Sequence, residues 1–429
     1  MKKILNSYID FISLFLIKIA LKLNSHRLCG FILWLNIRKI KKIKNKLDNT
    51  KKILVFPKSG GLEDLYESFA EKKNNITFYL LPRGFLKEIF RFFFKQDDMS
   101  HIGDYFTKLK TQKQIEKKKA YIRFLTLSFK HINNNLKFDC YISFNLFYYA
   151  EKYFEEVCKN LNSKFIILQK ESIFTPAEEA GALKIYKKYN DKSLASKVSV
   201  YSESQKKILI KSGIINNKKI FVNGCPRCDY SFRLRKIKPK KKLIVYYMID
   251  PDRNNNILVK NKDTNWKKLY NQTLEYIVAF ARRNPTCKII LKGKNGVHKE
   301  KHLNSLILPK NCSFVQDGSG HKLLHDSLIV IAFNSTIVLE AILANRNLII
   351  PNFNNEKNLR KKFLQNIKNN KYFANDKKQF DKKMSNYLNS EYKNKKLEKS
   401  DLETLKYYVG NTDGKSGIKV QKFINEIYN

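Results

Sequence analysis

From residue 51 onward, short apolar runs alternate with longer stretches in which apolar positions recur every three or four residues. Runs over residues 52–56, 76–81, 138–143, 164–168, 197–201 and 219–222 are rich in β-branched and aromatic residues and too short for helices. They read as buried strands. The stretches between them carry helical spacing, including a long Lys-rich one after residue 84. Strand followed by helix, repeated, predicts a parallel sheet with helices on both faces. Residues 230–242 interrupt the pattern, being dense in Arg and Lys with Pro239 among them, and read as a linker. The pattern then restarts, with strands expected over 243–247, 287–291, 313–315, 328–331 and 348–350 and a helix over about 266–283. Beyond Glu356 the chain is Lys- and Asn-rich with scattered aromatics. This stretch is read as helices that close the second domain or cross back to the first.

The first fifty residues follow a different plan. Tyr8, Phe11, Ile12, Phe15, Ile19 and Leu23 continue from Ile4 at helical spacing, interrupted by Asp10, Lys18 and Lys22. No apolar run approaches the roughly 18 residues of a spanning helix, and no small-residue cleavage site follows. A second apolar patch over 31–35 runs into Arg38, Lys39, Lys41, Lys42, Lys44 and Lys46. Two readings stand side by side: a helix lying in an anionic interface, or a pair of helices packed on the first domain. The expected divisions are thus a basic helical segment over 1–50, a first Rossmann-like domain over 51–235, a second over 236–360 and a helical region over 361–429.

Composition adds bounds. A chain of 429 residues with 43% hydrophobic content supports two cores, since single cores rarely exceed about 250–300 residues. The formal charge of +46 suits a polyanion or an anionic membrane surface. It is, however, spread along a chain uniformly rich in Lys, Asn and Ile, and the Phe residues fall in apolar runs instead of interleaving with a basic stripe. Nucleic acid is therefore not expected as a partner. The seven cysteines sit mostly in apolar segments as small buried hydrophobes, which favours a reducing compartment. Cys225-Pro-Arg-Cys228 lacks the second ligand pair a zinc site needs, so no metal is expected.

The chemistry concentrates in residues 326–341, a strand that turns directly into a helix. Ser335 and Thr336 are placed at the helix N-terminus, where hydroxyls and free N–H groups favour a phosphate. Glu340 lies one turn further along the same face, within reach of ribose hydroxyls. Helix capping explains the hydroxyls alone, because a capping box needs Glu or Gln where Val338 and Leu339 stand. The Gly60-Gly61 pair after the first strand admits a ligand close to the backbone, and equally makes an ordinary tight turn.

Tyr201-Ser-Glu203, Lys211-Ser-Gly213 and Lys219-Ile-Phe-Val-Asn-Gly224-Cys-Pro226-Arg227-Cys-Asp229 resemble the end of the first domain in GT-B enzymes of bacterial surface-polysaccharide synthesis. The Ser335-Thr336 and Glu340 segment is similar to their nucleotide-binding element. The resemblance spans roughly residues 51–353. It extends to capsule and lipopolysaccharide glycosyltransferases and to CDP-glycerol glycerophosphotransferases. It implies two Rossmann-like, doubly wound domains facing a cleft, and a CDP- or UDP-linked donor as substrate with no further cofactor. It also implies a glycan or lipid-linked acceptor and a cytoplasmic, peripheral place on the inner face of the cell membrane. Arg227 joins the phosphate-binding candidates through this motif. Lys292-Gly-Lys294 stands where the glycerophosphotransferases show Lys-x-His-Pro; Lys292 keeps a positive charge for the phosphates, while spacing assigns no role to His298. An inverting transfer also needs a general base from the first domain. Glu171, in Gln169-Lys170-Glu171 after the 164–168 strand, is the first choice and Asp64 the second. The alternatives are a nucleotide-sugar 2-epimerase-like isomerase, whose Ser-Gly-Gly turn is Asn334-Ser335-Thr336 here, and a catalytically degenerate binding protein of the same fold.

Overall fold

The computed structural model describes residues 2–43, 51–69, 74–94, 111–171, 173–188, 192–240, 242–249, 266–294, 303, 306–333, 335–353, 367, 370–394, 396–410 and 412–427. The Asn334 and His298 positions lie outside these described residues. Two compact units are present, and each holds one sheet.

The first unit comprises residues 1–172, 183–226 and 416–429. It opens with helices α1 (Lys2–Lys22) and α2 (His26–Leu35) and the short strand β1 (Arg38–Lys39). The alternation read from the sequence follows: β2 (Lys51–Val55), α3 (Gly61–Ser68), β3 (Ile76–Leu80), α4 (Arg83–Phe93), α5 (Gln112–Asn135), β4 (Cys140–Ser143), α6 (Phe154–Asn160), β5 (Lys164–Leu168), α7 (Pro176–Lys188, its residues up to Ala182 counted with the second unit), β6 (Lys197–Val200), α8 (Glu203–Ser212) and β7 (Ile220–Val222). The sheet order is β1-β3-β2-β4-β5-β6-β7, parallel except for β1 against β3. The central strands are buried on both faces because every position in β4 is apolar or small. The strand order reverses between β2 and β4, which makes the carboxyl ends of those strands the crevice of this sheet.

The second unit comprises residues 173–182 and 227–415. Its elements are α9 (Pro226–Arg233), β8 (Leu243–Tyr247), α10 (Trp266–Arg283), β9 (Lys288–Lys292), β10 (Cys312–Val315), α11 (Gly320–Asp326), β11 (Ile329–Ile331), α12 (Ile337–Leu343), β12 (Asn347–Pro351), β13 (Phe373–Ala374), α13 (Lys377–Asn389) and α14 (Lys399–Val409). All pairings are parallel in the order β10-β9-β8-β11-β12-β13, the doubly wound order of a dinucleotide-binding sheet, with its reversal between β8 and β11.

One sequence expectation changes. Residues 230–236 are helical, not a linker: α9 runs to Arg233, a 3-10 turn continues to Lys236, and Leu234 is buried. Arg235 donates to the carbonyls of Ile342 and Leu343, so the basic stretch is fixed by hydrogen bonds that composition does not show. Ser202 stands at the N-cap of α8, yet its buried hydroxyl makes no capping bond.

The Lys- and Asn-rich tail divides between the units. Helix α15 (Ser416–Asn425) returns to the first, where Val420, Phe423, Ile424 and Ile427 join the core cluster under β2, β4 and β5, and the Phe423 ring lies tilted against that of Phe221 at 5.4 Å.

The Gly60-Gly61 turn follows from packing and backbone geometry. Gly60 has φ 81°, a conformation that costs side chains with a Cβ, and Gly61 lies where a Cβ would meet the Phe144 ring at 2.3 Å. Phe144 is itself buried. Gly61→Ala is therefore expected to destabilise the first unit by about 1–3 kcal/mol through overpacking. A urea midpoint equal to that of the unsubstituted protein would show that the ring gives way.

Candidate functional site

In the second unit the carboxyl end of the sheet gathers side chains from three connections. Tyr247 ends β8, and its hydroxyl donates to the Gly320 carbonyl at 2.8 Å. Gly318, at φ 89°, turns the chain from β10 into α11, and Ser319 caps that helix by accepting from Lys322 N at 3.3 Å. His321 follows on α11, with the Tyr230 ring of α9 at 5.8 Å.

Glu340 is in the first turn of α12 and buried, at 4% exposure. Its Oε2 lies 3.1 Å from His321 Nε2, without the alignment of a hydrogen bond, so among the described residues this oxygen has an ion-pair neighbour but no hydrogen-bond donor. An unsatisfied buried carboxylate oxygen costs free energy, and a group kept in that state calls for a partner such as a bound ligand or water. Burial raises the Tyr247 phenol well above its usual value, and the Glu340 carboxylate pushes it further in the same direction.

The other candidates of this unit lie on three elements. Ser335 and Thr336 are exposed at the entry to α12. Ser335 Oγ accepts from Ile337 N at 3.4 Å, and Thr336, the N-cap residue, makes no side-chain capping bond. Lys292 ends β9 and donates to the Gly293 carbonyl at 2.8 Å and to the Gln316 carbonyl. Burial pulls this ammonium below its usual value, against the opposing charge of Asp317. Its hydrogen bonds tie it to the loop that leads into α11. Arg227 lies half-buried in the first turn of α9, one turn before Tyr230.

In the first unit, Glu171 follows β5. Tyr148, on the loop after β4, donates its hydroxyl to Glu171 Oε1 at 3.2 Å, and the Lys170 ammonium pairs with the same oxygen. Burial works to raise the Glu171 carboxyl, but the charge and hydrogen bond of Lys170, the Tyr148 hydroxyl and the charge of Lys58 outweigh it, so the group is held below its ordinary value. Asp64 differs. It is buried on α3, takes the Tyr201 hydroxyl on Oδ2 and has Cys225 Sγ 3.9 Å from Oδ1, so its carboxylate is committed to interior partners.

The structure therefore brings together Glu340, Ser335 and Thr336 on one connection, adds Lys292 through the adjoining loop, and leaves Asp64 inside the first unit. The sequence reading missed His321, Tyr247 and Tyr148. Gly318-Ser-Gly320 immediately before His321 was the available signal for the first: paired glycines between a strand and a helix.

No protein-family model matches the chain, and no curated protein does. Solved structures similar to it include a UDP-GlcNAc 2-epimerase from Neisseria meningitidis bound to UDP-GlcNAc, at 13% identity and TM-score 0.47, covering 88% of this chain and 99% of that one. The wall teichoic acid polymerase TagF is similar at 14% identity and TM-score 0.46, covering 97% of each chain. A UDP-forming α,α-trehalose-phosphate synthase from Burkholderia xenovorans is similar at 9% identity and TM-score 0.43, covering 89% of this chain and 99% of that one.

Proposed function

We propose that the protein is a transferase that moves a sugar or sugar-alcohol phosphate from a nucleotide-activated donor, CDP- or UDP-linked, to a glycan or lipid-linked acceptor. Its setting in this reading is surface-polysaccharide synthesis on the inner face of the membrane. The observation that carries the donor part is the buried Glu340 carboxylate at the reversal point of the second sheet, one oxygen of which has the His321 ring 3.1 Å away but no hydrogen-bond donor among the described residues. Ribose hydroxyls would supply that donor. Ser335 and Thr336, on the same connection as Glu340, and Arg227, one turn before the Tyr230 ring that meets His321, are assigned to the phosphates, and Lys292 keeps the β10–α11 loop in place.

In the first unit Glu171 is the base. The acceptor hydroxyl gives its proton to Glu171 while its oxygen bonds to the donor's electrophilic centre. The bond from that centre to the nucleotide's phosphate oxygen breaks, and the nucleotide leaves with the electron pair. Glu171 is favoured over Asp64 because Asp64 is buried and already accepts from Tyr201.

The test is a thermal-shift titration against CDP, UDP, GDP and CMP, with the unsubstituted protein and Glu340→Ala. A ligand at a hundred times its Kd stabilises the folded state by about 2.7 kcal/mol. One nucleotide is expected to do so selectively. Hydrogen bonds to a charged acceptor contribute about 1.5–3 kcal/mol, so Glu340→Ala should weaken that nucleotide by about 10- to 100-fold. No shift with any nucleotide in folded protein would overturn the donor site. Conversion of a UDP-sugar to its 2-epimer without acceptor would replace transfer by isomerisation.

A further inference from the structure

The apolar stripe that α1 carries faces away from the protein. Among the described side chains of α1, Ser13, Ile17, Ala20 and Leu21 are buried, while Tyr8, Phe11, Ile12 and Phe15 stand on the opposite side, with Phe11 72% and Phe15 59% exposed. The larger side chains are thus outside and the smaller ones inside, the reverse of a helix packed on a soluble core. Helix α2 repeats this. Cys29, Gly30, Ile32 and Leu33 are buried, and Gly30 sits so close to α5 that a Cβ would lie 2.5 Å from the Ser128 carbonyl oxygen. Leu28, Phe31 and Leu35, at i, i+3 and i+7, are exposed.

The two helices are fixed to each other. Asn36 Nδ2, at the end of α2, donates to Ser13 Oγ of α1 at 3.0 Å and to the Ile32 carbonyl at 2.8 Å. The exposed apolar residues therefore belong to one built hairpin and not to a loose terminus. Scattered exposed hydrophobes need no explanation, but a periodic set on two fixed helices does.

Charge identifies the occupant. Asp10 is the sole acid among residues 1–47, and Arg38 neutralises it at 2.6 Å. Lys22, Arg27, Lys39 and Lys41 are exposed around the stripe. No described helix is long and apolar enough to cross a membrane. Large apolar side chains flanked by cations, on helices that do not span, match the acyl–headgroup boundary of an anionic bilayer. We infer that the outer face of the α1–α2 hairpin docks on an anionic lipid surface, with Phe11, Phe15 and Phe31 inserted and the cations at headgroup level. This gives the membrane setting named above a location on the molecule and does not depend on the donor site.

The experiment is flotation of the full chain, without nucleotide, on vesicles of phosphatidylglycerol with phosphatidylethanolamine and on vesicles of phosphatidylcholine. The unsubstituted protein should float with the anionic vesicles and much less with phosphatidylcholine, and high salt should weaken the binding. The triple substitution Phe11→Glu, Phe15→Glu, Phe31→Glu should lower partition by about 100-fold through lost apolar burial and added repulsion, with an unchanged melting temperature because all three side chains are exposed. Trp34, whose ring is 5.9 Å from Phe31, should be quenched by brominated lipid in the unsubstituted protein alone. Three results would overturn the inference: absence from the anionic vesicles, equal flotation of the triple variant, or a lipid-free dimer that the triple variant dissociates, which would assign the face to a second copy. Nucleotide-induced stabilisation of the triple variant, measured in parallel, separates failure here from failure of the donor site.

Discussion

Glu171→Gln is expected to lower the turnover rate by about 10²- to 10⁴-fold, the usual contribution of a positioned general base, while leaving nucleotide affinity in place. Glutamine keeps an acceptor for the Tyr148 hydroxyl and removes the ability to take a proton, together with the charge that Lys170 pairs with. The pH dependence follows from the depressed carboxyl. Burial opposes ionisation, but Lys170, Tyr148 and Lys58 together hold Glu171 below its reference value of 4.5. A carboxylate depressed in the folded state contributes stability above its unfolded value, and loses it as pH falls through the folded one. With the Glu171 side chain 38% exposed, that stability contribution is small, and the kinetic consequence dominates. The acid limb of kcat/KM should lie below the ordinary glutamate range, leaving the rate flat through neutrality. Lys170→Met removes the main opposing charge, so burial should move the limb to higher pH. A rate–pH profile of Lys170→Met that overlays the unsubstituted one, or a Glu171→Gln variant with full turnover, would remove Glu171 from the reaction.

The strands were readable because their apolar runs are nearly unbroken. Residues 53–55, 140–143 and 329–331 are fully buried, and burial on both faces leaves no polar alternation to confuse the pattern. The two-residue edges, Arg38–Lys39 and Phe373–Ala374, carry no run, and their pairing to β3 and β12 arises only from tertiary proximity. The same division holds at the site. Glu340 was visible because a strand, a turn and a helix place it locally, whereas His321 reaches it from another helix across a gap of 19 residues in sequence, with no local pattern to announce the pair. At the N-terminus the stripe was legible and its direction was not, since periodicity gives the width of an apolar face and not what covers it. The tail was legible as helices that close the second domain or cross back to the first, but not where it divides: Val420, Phe423, Ile424 and Ile427 keep helical spacing between lysines, and composition does not say which core they join.

Arg83→Met should cost the first unit about 3–5 kcal/mol, because it strands a buried carboxylate. The Arg83 guanidinium meets Glu151 through both Nε and Nη2, the latter at 3.0 Å from Oε2, with side-chain exposures of 7% and 1%. The fork geometry makes Arg83→Lys nearly as damaging, since a single ammonium cannot reproduce two parallel bonds. Replacing both members, Arg83→Met with Glu151→Leu, removes the stranded charge and should recover most of the loss. Function should not recover with it. The guanidinium also lies 4.1 Å from the centroid of the Tyr148 ring, and Tyr148 holds Glu171, so the double variant should fold normally yet turn over more slowly at unchanged nucleotide affinity. Unfolding read from Trp34 in a Trp266→Phe background, beside the steady-state rate, separates the two effects. A single variant with an unshifted urea midpoint would show that Glu151 finds another partner or water. A double variant with full turnover would show that Tyr148 keeps its place without the cation above it.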